Sequence, residues 1–483
     1  MKHRNNKIQI SLKEKSRRQH IIMANRFAQF PILKHLVRWL ILIIPVSVTI
    51  GSIVALFLWL LHQATGLRFQ YPWLLFLLPL AGIAIHLIYK TIGRSSEKGN
   101  NLIIDEIHEP GGGIPGWMAP VILVCTVITH LFGGSAGREG TAVQIGGSIA
   151  QIFGKLLRLN ADDTKIILTS GVAAGFGAVF GTPLAGTIFA AEVLSVGRIQ
   201  YTSLLPCLFA AIIGDATVTA WGIHHTTYHI GVTAGVQELI PGYISPAFSL
   251  LIKVVPAAIA FGLAACLFSV MVHTLRNLFL KLIRTSWLIP VAGGLIIILL
   301  TFITGSTDYL GLGVDPQYAG SVTISSSFKA GGADTWSWLW KTVYTTITLS
   351  SGFKGGEVTP LFYIGATLGN TLSGILDAPA GLFAALGFIA VFAGATNTPL
   401  ACTIMGVELF GSEYMHLFAA ACFIAYFFSG HSGIYSSQKI AVPKIFGEWF
   451  SLESSLSESN KRRNNFLQRR LTFYRFLFRK KRK

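Results

Sequence analysis

The sequence predicts an all-α polytopic membrane protein, and three observations carry that reading. The 483 residues are 52% hydrophobic and only 12% charged, with a mean hydropathy of +0.58; a soluble domain carries about 25% charged residues. Uncharged apolar runs long enough to cross a bilayer as helices recur along the chain. Several of them are broken by Gly, Pro and short polar patches within membrane length. Backbone freed at membrane depth is tolerated only where protein buries it or a watery cavity receives it, and paired broken helices point to a transport site.

In chain order, residues 1–38 form a basic segment with ten Lys/Arg and one acid. Trp39–Leu61 follows as a first span; it is too long for a signal-peptide core and no small-residue cleavage site follows it, so it is read as retained. Tyr71–Tyr89 and Pro110–Gly137 are the next apolar runs. Ile166–Ala191 is broken at Gly175–Pro183, and Val254–Leu275 and Ser286–Thr307 are further runs. A break at Gly352–Pro360 precedes Ala378–Val407, itself interrupted at Gly394–Pro399. The membrane region is therefore placed at 39–440, with a basic tail at 441–483 expected to be too short for a paired regulatory domain.

The net charge of +18 is confined to the ends: +9 over residues 1–38 and +11 over 461–483 leave the intervening 422 residues at −2. A nucleic-acid docking face is thereby excluded. Lys and Arg flanking spans are retained in the cytoplasm, so both termini are expected there, with an even number of crossings. The alternating aromatic and basic tail Phe466–Lys483 reads either as a disordered tail or as a helix on the anionic leaflet. Cys125, Cys207, Cys266, Cys402 and Cys422 lack metal-ligand spacing and read as small buried hydrophobes.

An internal repeat organises the membrane region. The segments Thr182–Glu192 and Thr398–Glu408 are identical at seven of 11 positions with an offset of 216, and Gly137-Arg-Glu-Gly-Thr141 faces Gly355-Gly-Glu-Val-Thr359 at nearly the same offset. Two related halves follow, about 70–220 and 290–435. Whether they run parallel or inverted is open at this level.

Ionisable residues inside spans are costly and are functional candidates. They are Arg138, Glu139, Glu192, Asp215, Lys253, Lys354, Glu357 and Glu408. Glu139 stands in a glycine-rich turn, 133–146, that opens an apolar helix, where free N–H groups and the helix dipole favour an anion. A carboxylate can occupy such a seat itself, and protonation would release it to a solute anion. The alternative is a plain helix cap. Glu192 and Glu408, equivalent in the repeat, are open to a role as caps or as partners within the bundle.

The 133–146 segment resembles the G-[KR]-E-G motif of the CLC family of chloride channels and anion/proton antiporters. Phe180–Glu192 is similar to that family's next conserved stretch, Gly355-Gly-Glu-Val-Thr-Pro360 to its G-x-F-x-P element, and Ser432-Gly-Ile-Tyr435 falls where it places a pore tyrosine. The resemblance covers about 40–440. It implies a CLC-type inverted-repeat bundle of tilted and broken helices, a homodimer with one pore per subunit, and Glu139 as gating and proton-carrying glutamate. The family's G-S-G-I-P is imitated by Gly111-Gly-Gly-Ile-Pro115, which lies too close to Glu139; the better positional match is Lys98–Ile107, which sets Asn100 at the serine position with Asn101 beside it. Val193 replaces the internal proton-transfer glutamate. These departures resemble the bacterial fluoride-transporting branch.

The expected anion site is Asn100, Asn101, Gly137, Arg138, Gly140, Val358, Thr359 and Tyr435. Fluoride is tightly hydrated, so a dry site must return several donors; amide, threonine and phenol groups supply them, with Ile103, Val358 and Phe353 keeping the site narrow. Helix capping by Asn100 and Asn101, and an interfacial role for Tyr435, are the competing readings. The expectation is a multi-pass plasma-membrane fluoride/proton antiporter, with a chloride/proton antiporter or chloride channel as the alternative. No enzyme activity, metal or cofactor is expected. The expected partners are inorganic anion, protons, lipid and a second copy of the chain.

Overall fold

The computed structural model describes residues 29–231, 246–445 and 452–462. Most of both basic segments, including Phe466–Lys483, lies outside the described residues. Helices α1 (Gln29–Gln70), α2 (Leu78–Thr91), α3 (Asn100–His108), α4 (Met118–Leu131), α5 (Glu139–Leu156), α6 (Ala161–Phe180), α7 (Pro183–Glu192) and α8 (Leu204–Ala220) build the first part. The long α9 (Pro246–Leu282) leads to α10 (Leu288–Thr304), α11 (Ser337–Ser350), α12 (Val358–Ile375), α13 (Ala380–Thr396), α14 (Pro399–Phe410) and α15 (Met415–Phe428). The all-α class holds; the described strands are two-residue β1 (Ser195–Val196) and β2 (Lys439–Ile440), paired in parallel.

Among the described residues four helical stretches, including most of α1 and α9, are long and apolar enough to span a bilayer. Others are not: α4 and α15 have 14 residues each, about 21 Å of helix against a hydrocarbon core of about 30 Å. Helices of that length are too short to cross such a core alone. The apolar run from Pro110 becomes helical only at Met118, because Gly111 and Gly113, in the loop before it, give their N–H groups to the Glu106 carboxylate of α3.

The repeat is visible as repeated physics. Gly181 ends α6 and Asn397 ends α13, both left-handed at φ 70° and 59°, the conformation Gly and Asn adopt most readily. A Thr-Pro step then starts α7 and α14, with proline in the first turn where no N–H partner is lost. Glu408, at the end of α14, accepts from the N–H groups of Leu184 and Ala185 at the start of α7, at 2.8 and 2.7 Å. Glu192, at the end of α7, accepts from Leu400 and Ala401 at the start of α14, at 3.1 and 2.8 Å. Each helix start thus receives the other's terminal carboxylate. That is possible only if α7 and α14 lie antiparallel, so the halves are inverted here, and of the readings open for these two glutamates the structure selects capping.

Helices α5 and α6 cross at Gly146 and Gly171, and α12 and α13 at Gly365 and Gly387, where an added Cβ would come within 2.0 to 2.5 Å of the facing carbonyl oxygen. Small residues at membrane crossings let backbones approach. The first helix of each tight pair, α5 and α12, begins at one of the two repeat motifs, and that is where the site lies.

Candidate functional site

The starts of α5 and α12 meet. Gly137 N–H donates to Gly356 O at 2.6 Å and Gly356 N–H to Gly137 O at 2.7 Å, an antiparallel bridge between the two repeat motifs. The bridge aims two sets of unsatisfied first-turn N–H groups at one region. The Glu139 carboxylate, 1% exposed, fills it. One oxygen, Oε2, accepts from the N–H groups of Arg138 and Thr359, each at 3.0 Å. The other, Oε1, accepts a very short bond from the Thr359 hydroxyl, and the Arg138 Nε lies 3.7 Å away. A carboxylate from one half is thereby held on the helix start of the other half, where positive dipole ends converge.

Glu357 is the second carboxylate here. It is the residue before α12, its Oε2 is buried without a hydrogen-bond partner among the described residues, and it feels the charge of Glu139. Asn100 opens α3 after Gly99, which is left-handed at φ 57°. It is 9% exposed. Its Nδ2 lies 3.0 Å from where a Cβ on Gly140 would sit, with Gly356 Cα at 3.1 Å and Glu357 Oε2 at 3.5 Å from the same point. Its Oδ1 has no partner among the described residues. Gly140 therefore keeps open the space that Asn100 and Glu357 share.

Tyr435 is buried and within electrostatic reach of both Glu139 and Glu357. Among the described residues its hydroxyl has no hydrogen-bond partner. Its loop is held firmly: Ile434 N–H donates to Ala395 O, Ser437 N–H to Asn101 Oδ1, and β2 pairs with β1 two residues later. Val358 is buried at the first position of α12.

Of the expected site residues, Glu139, Arg138, Gly140, Val358, Thr359, Asn100 and Tyr435 stand around this region. Gly137 directs its N–H into the bridge, and Asn101 turns its carbonyl to Ser437. Ile103 packs on Gly147 of α5 and Phe353 on Gly82 of α2. Gln438, which sequence reasoning passed over, is fully buried; its Nε2 donates to Val193 O and Thr396 O, and its Oε1 accepts from Asn397. It ties the tyrosine loop to the broken helices of both halves. A lone glutamine after a serine pair gives no sequence signal of that.

The sequence model of the family described as voltage gated chloride channel matches residues 81–430. A chloride/fluoride channel protein of Pseudomonas syringae pv. tomato is 47% identical over 417 residues, covering 86% of this chain and 89% of its own length. The H(+)/Cl(-) exchange transporter ClcA of Vibrio parahaemolyticus is 27% identical over 296 residues, 58% of this chain and 60% of that protein. The crystal structure of a CLC-type fluoride/proton antiporter superposes with a TM-score of 0.76 at 34% identity, covering 84% of this chain and 98% of that one. A slow cyanobacterial Cl-/H+ antiporter shares the fold, with a TM-score of 0.66 at 18% identity over 81% of this chain and 94% of its own.

Proposed function

Because the chain belongs to the voltage-gated chloride channel (CLC) family, we propose that it is a membrane anion transporter that moves fluoride out of the cell in exchange for protons. The observation that carries this reading is the Glu139 carboxylate seated on N–H and O–H donors that would otherwise hold a solute anion. Charge-assisted hydrogen bonds of this kind are about twice as strong as neutral ones. Protonating Glu139 removes the charge, weakens its seat and vacates the donors. Fluoride then takes them, and Glu139 returns when its proton leaves on the other side.

The donor set favours fluoride over chloride. The Asn100 amide lies beside Gly140, the Thr359 hydroxyl is freed when Glu139 leaves it, and in this account the Tyr435 phenol adds a further donor, which together offset the dehydration of a small, strongly accepting anion. Gly137 and Asn101 act in this account by holding the bridge and the tyrosine loop. Glu357 is a further proton-binding carboxylate on the route, since Val193 stands where chloride/proton antiporters of the family carry an internal glutamate. Chloride/proton exchange or a chloride channel is the competing reading.

We place the protein in the plasma membrane with both termini cytoplasmic, from the Lys and Arg concentrated at the two ends. The membrane domain spans 39–440, flanked by the basic segments 1–38 and 441–483, and it works as a homodimer with a pore in each subunit. The test of selectivity is efflux from liposomes loaded with fluoride or chloride, read with ion-selective electrodes. Fluoride moving much faster than chloride supports the proposal; equal fluxes or faster chloride would leave the family assignment standing and remove the fluoride one.

A further inference from the structure

The chain beyond residue 440 has no role in the exchange described above, yet it folds back onto the loop that carries Tyr435. On one side, Ile440 N–H donates to Ser454 O and Glu453 N–H to Ile440 O, each at 2.9 Å. Leu456 N–H then donates to Gln438 O at 2.9 Å and Ser457 N–H to Ser436 O at 3.2 Å. Leu456 is buried with Val196, Tyr426 and Ile440, and its Cδ1 lies 3.2 Å from where a Cβ on Gly433 would sit.

On the other side stands Lys444. Its Nζ donates to Gly430 O at 2.6 Å, to Ser429 Oγ at 3.0 Å and to Tyr426 O, and lies 3.9 Å from the centre of the Tyr426 ring. Its backbone N–H donates to His431 Nε2 at 2.9 Å. None of the ion pairs among the described residues includes it. An ammonium has three donors, and here each finds an acceptor at the C-terminal end of α15, where the helix dipole favours a cation. Burial pulls the Lys444 ammonium well below its ordinary range. The Ser429 hydroxyl gives its own proton to Tyr426 O, however, so all three partners accept, and a neutral amine would bring two donors for three acceptors.

A basic cap usually comes from the helix's own last turn. Lys444 comes from beyond the tyrosine: the chain leaves α15 through Gly430, left-handed at φ 62°, passes Tyr435, pairs at β2 and returns to the same place. The ammonium thus closes the loop whose middle is Tyr435. Within the loop, Ser432 Oγ donates to Ser429 O at 2.6 Å, Gly433 O lies 3.1 Å from His273 Nε2, and Ile434 N–H donates to Ala395 O at 3.0 Å. None of these bonds is to the phenol, so its place is set by the loop that carries it.

We propose that Lys444 is a positioning residue for Tyr435, and that residues 441–445 and 452–462 brace the loop that presents the phenol to the anion. This rests on the reading of Tyr435 as a donor to fluoride. Hydrogen bonds weaken steeply as their geometry departs from the ideal, so loosening the loop costs affinity although every group that touches the ion is still present.

The test is a double-mutant cycle on the purified full-length protein, with sodium fluoride titrated calorimetrically into wild type, Lys444→Met, Tyr435→Phe and the pair. Lys444→Met is expected to weaken fluoride binding several-fold, and by no more than Tyr435→Phe, whose ceiling is roughly 150-fold. In the Tyr435→Phe background it should cost nothing further, because the bond it positions is already gone. A lysine that only caps α15 would lower the melting temperature and leave the affinity of the folded protein unchanged, or weaken binding equally in both backgrounds; either result overturns the proposal. If Lys444→Met fails to purify folded, Ser429→Ala decides: it removes one acceptor, keeps the cation, and should show a smaller loss with the same dependence on Tyr435. Unchanged binding in Tyr435→Phe overturns the premise and the proposal together. Fluoride efflux is measured from liposomes with the same wild-type preparation. Additive losses with transport intact sink the brace alone, and a non-additive cycle without transport sinks the transport reading alone.

Discussion

Replacing Tyr435 by Phe removes one oxygen and keeps the ring. The ring is 4% exposed, and the backbone bonds that hold its loop, from Ile434 N–H to Ala395 O and from Ser437 N–H to Asn101 Oδ1, do not involve the phenol. The hydroxyl has no partner among the described residues, so its loss leaves no orphaned group behind in the empty site. In the occupied site it removes one hydrogen bond to an anion. Such a bond contributes about 1.5–3 kcal/mol, which is roughly 10–150-fold in affinity. Calorimetric titration with fluoride should record a loss in that range while the melting temperature in detergent hardly moves. Unchanged affinity would mean that the phenol faces something other than the anion, and the central site would then rest on Asn100 and backbone N–H groups.

Three other perturbations separate parts of the account. Gly140→Ala places a methyl 3.0 Å from Asn100 Nδ2 and 3.1 Å from Gly356 Cα; fluoride efflux should fall several-fold with the fold retained, and wild-type flux would mean that the space beside Gly140 is not on the route. Glu357→Gln should lower the number of protons moved per fluoride while fluoride binding persists or tightens, because a buried like charge beside Glu139 is gone; unaltered stoichiometry in paired pH and fluoride recordings would contradict a proton role. Glu192→Gln and Glu408→Gln each weaken a helix cap, so each should lower thermal stability, by about 0.5–2 kcal/mol on the scale of cap removal, without changing the preference for fluoride over chloride; a selectivity change would place them in the transport path instead.

What the sequence disclosed followed how local each signal was. The Glu139 seat was legible because a glycine-rich turn before an apolar helix is a contiguous pattern with a direct physical meaning. The repeat disclosed that α7 and α14 are equivalent, and the reciprocal caps by Glu192 and Glu408 then follow from their being antiparallel, which the offset alone does not contain. The Pro110–Gly137 run looked continuous because apolarity does not register that Glu106 draws the Gly111 and Gly113 amides into a loop. Asn101 sits next to Asn100 in sequence, but successive helical positions point about 100° apart, and the second amide serves Ser437. Arg68 and Lys341 were absent from the ionisable residues singled out by sequence. A basic residue at the end of an apolar run resembles an ordinary snorkelling anchor, and only the folded 307–323 loop buries it.

The central claim is that one carboxylate, Glu139, alternates between holding the anion seat and carrying a proton. The most direct measurement uses liposomes with a fluoride gradient and no proton gradient, recording pH as fluoride runs down. Wild type should drive protons uphill, against the direction of fluoride flow, and Glu139→Gln, which keeps the shape but cannot cycle between acid and carboxylate, should either stop turnover or leak fluoride without moving protons. Uphill proton movement that survives in Glu139→Gln would contradict the account and pass the proton to another acid, with Glu357 first in line.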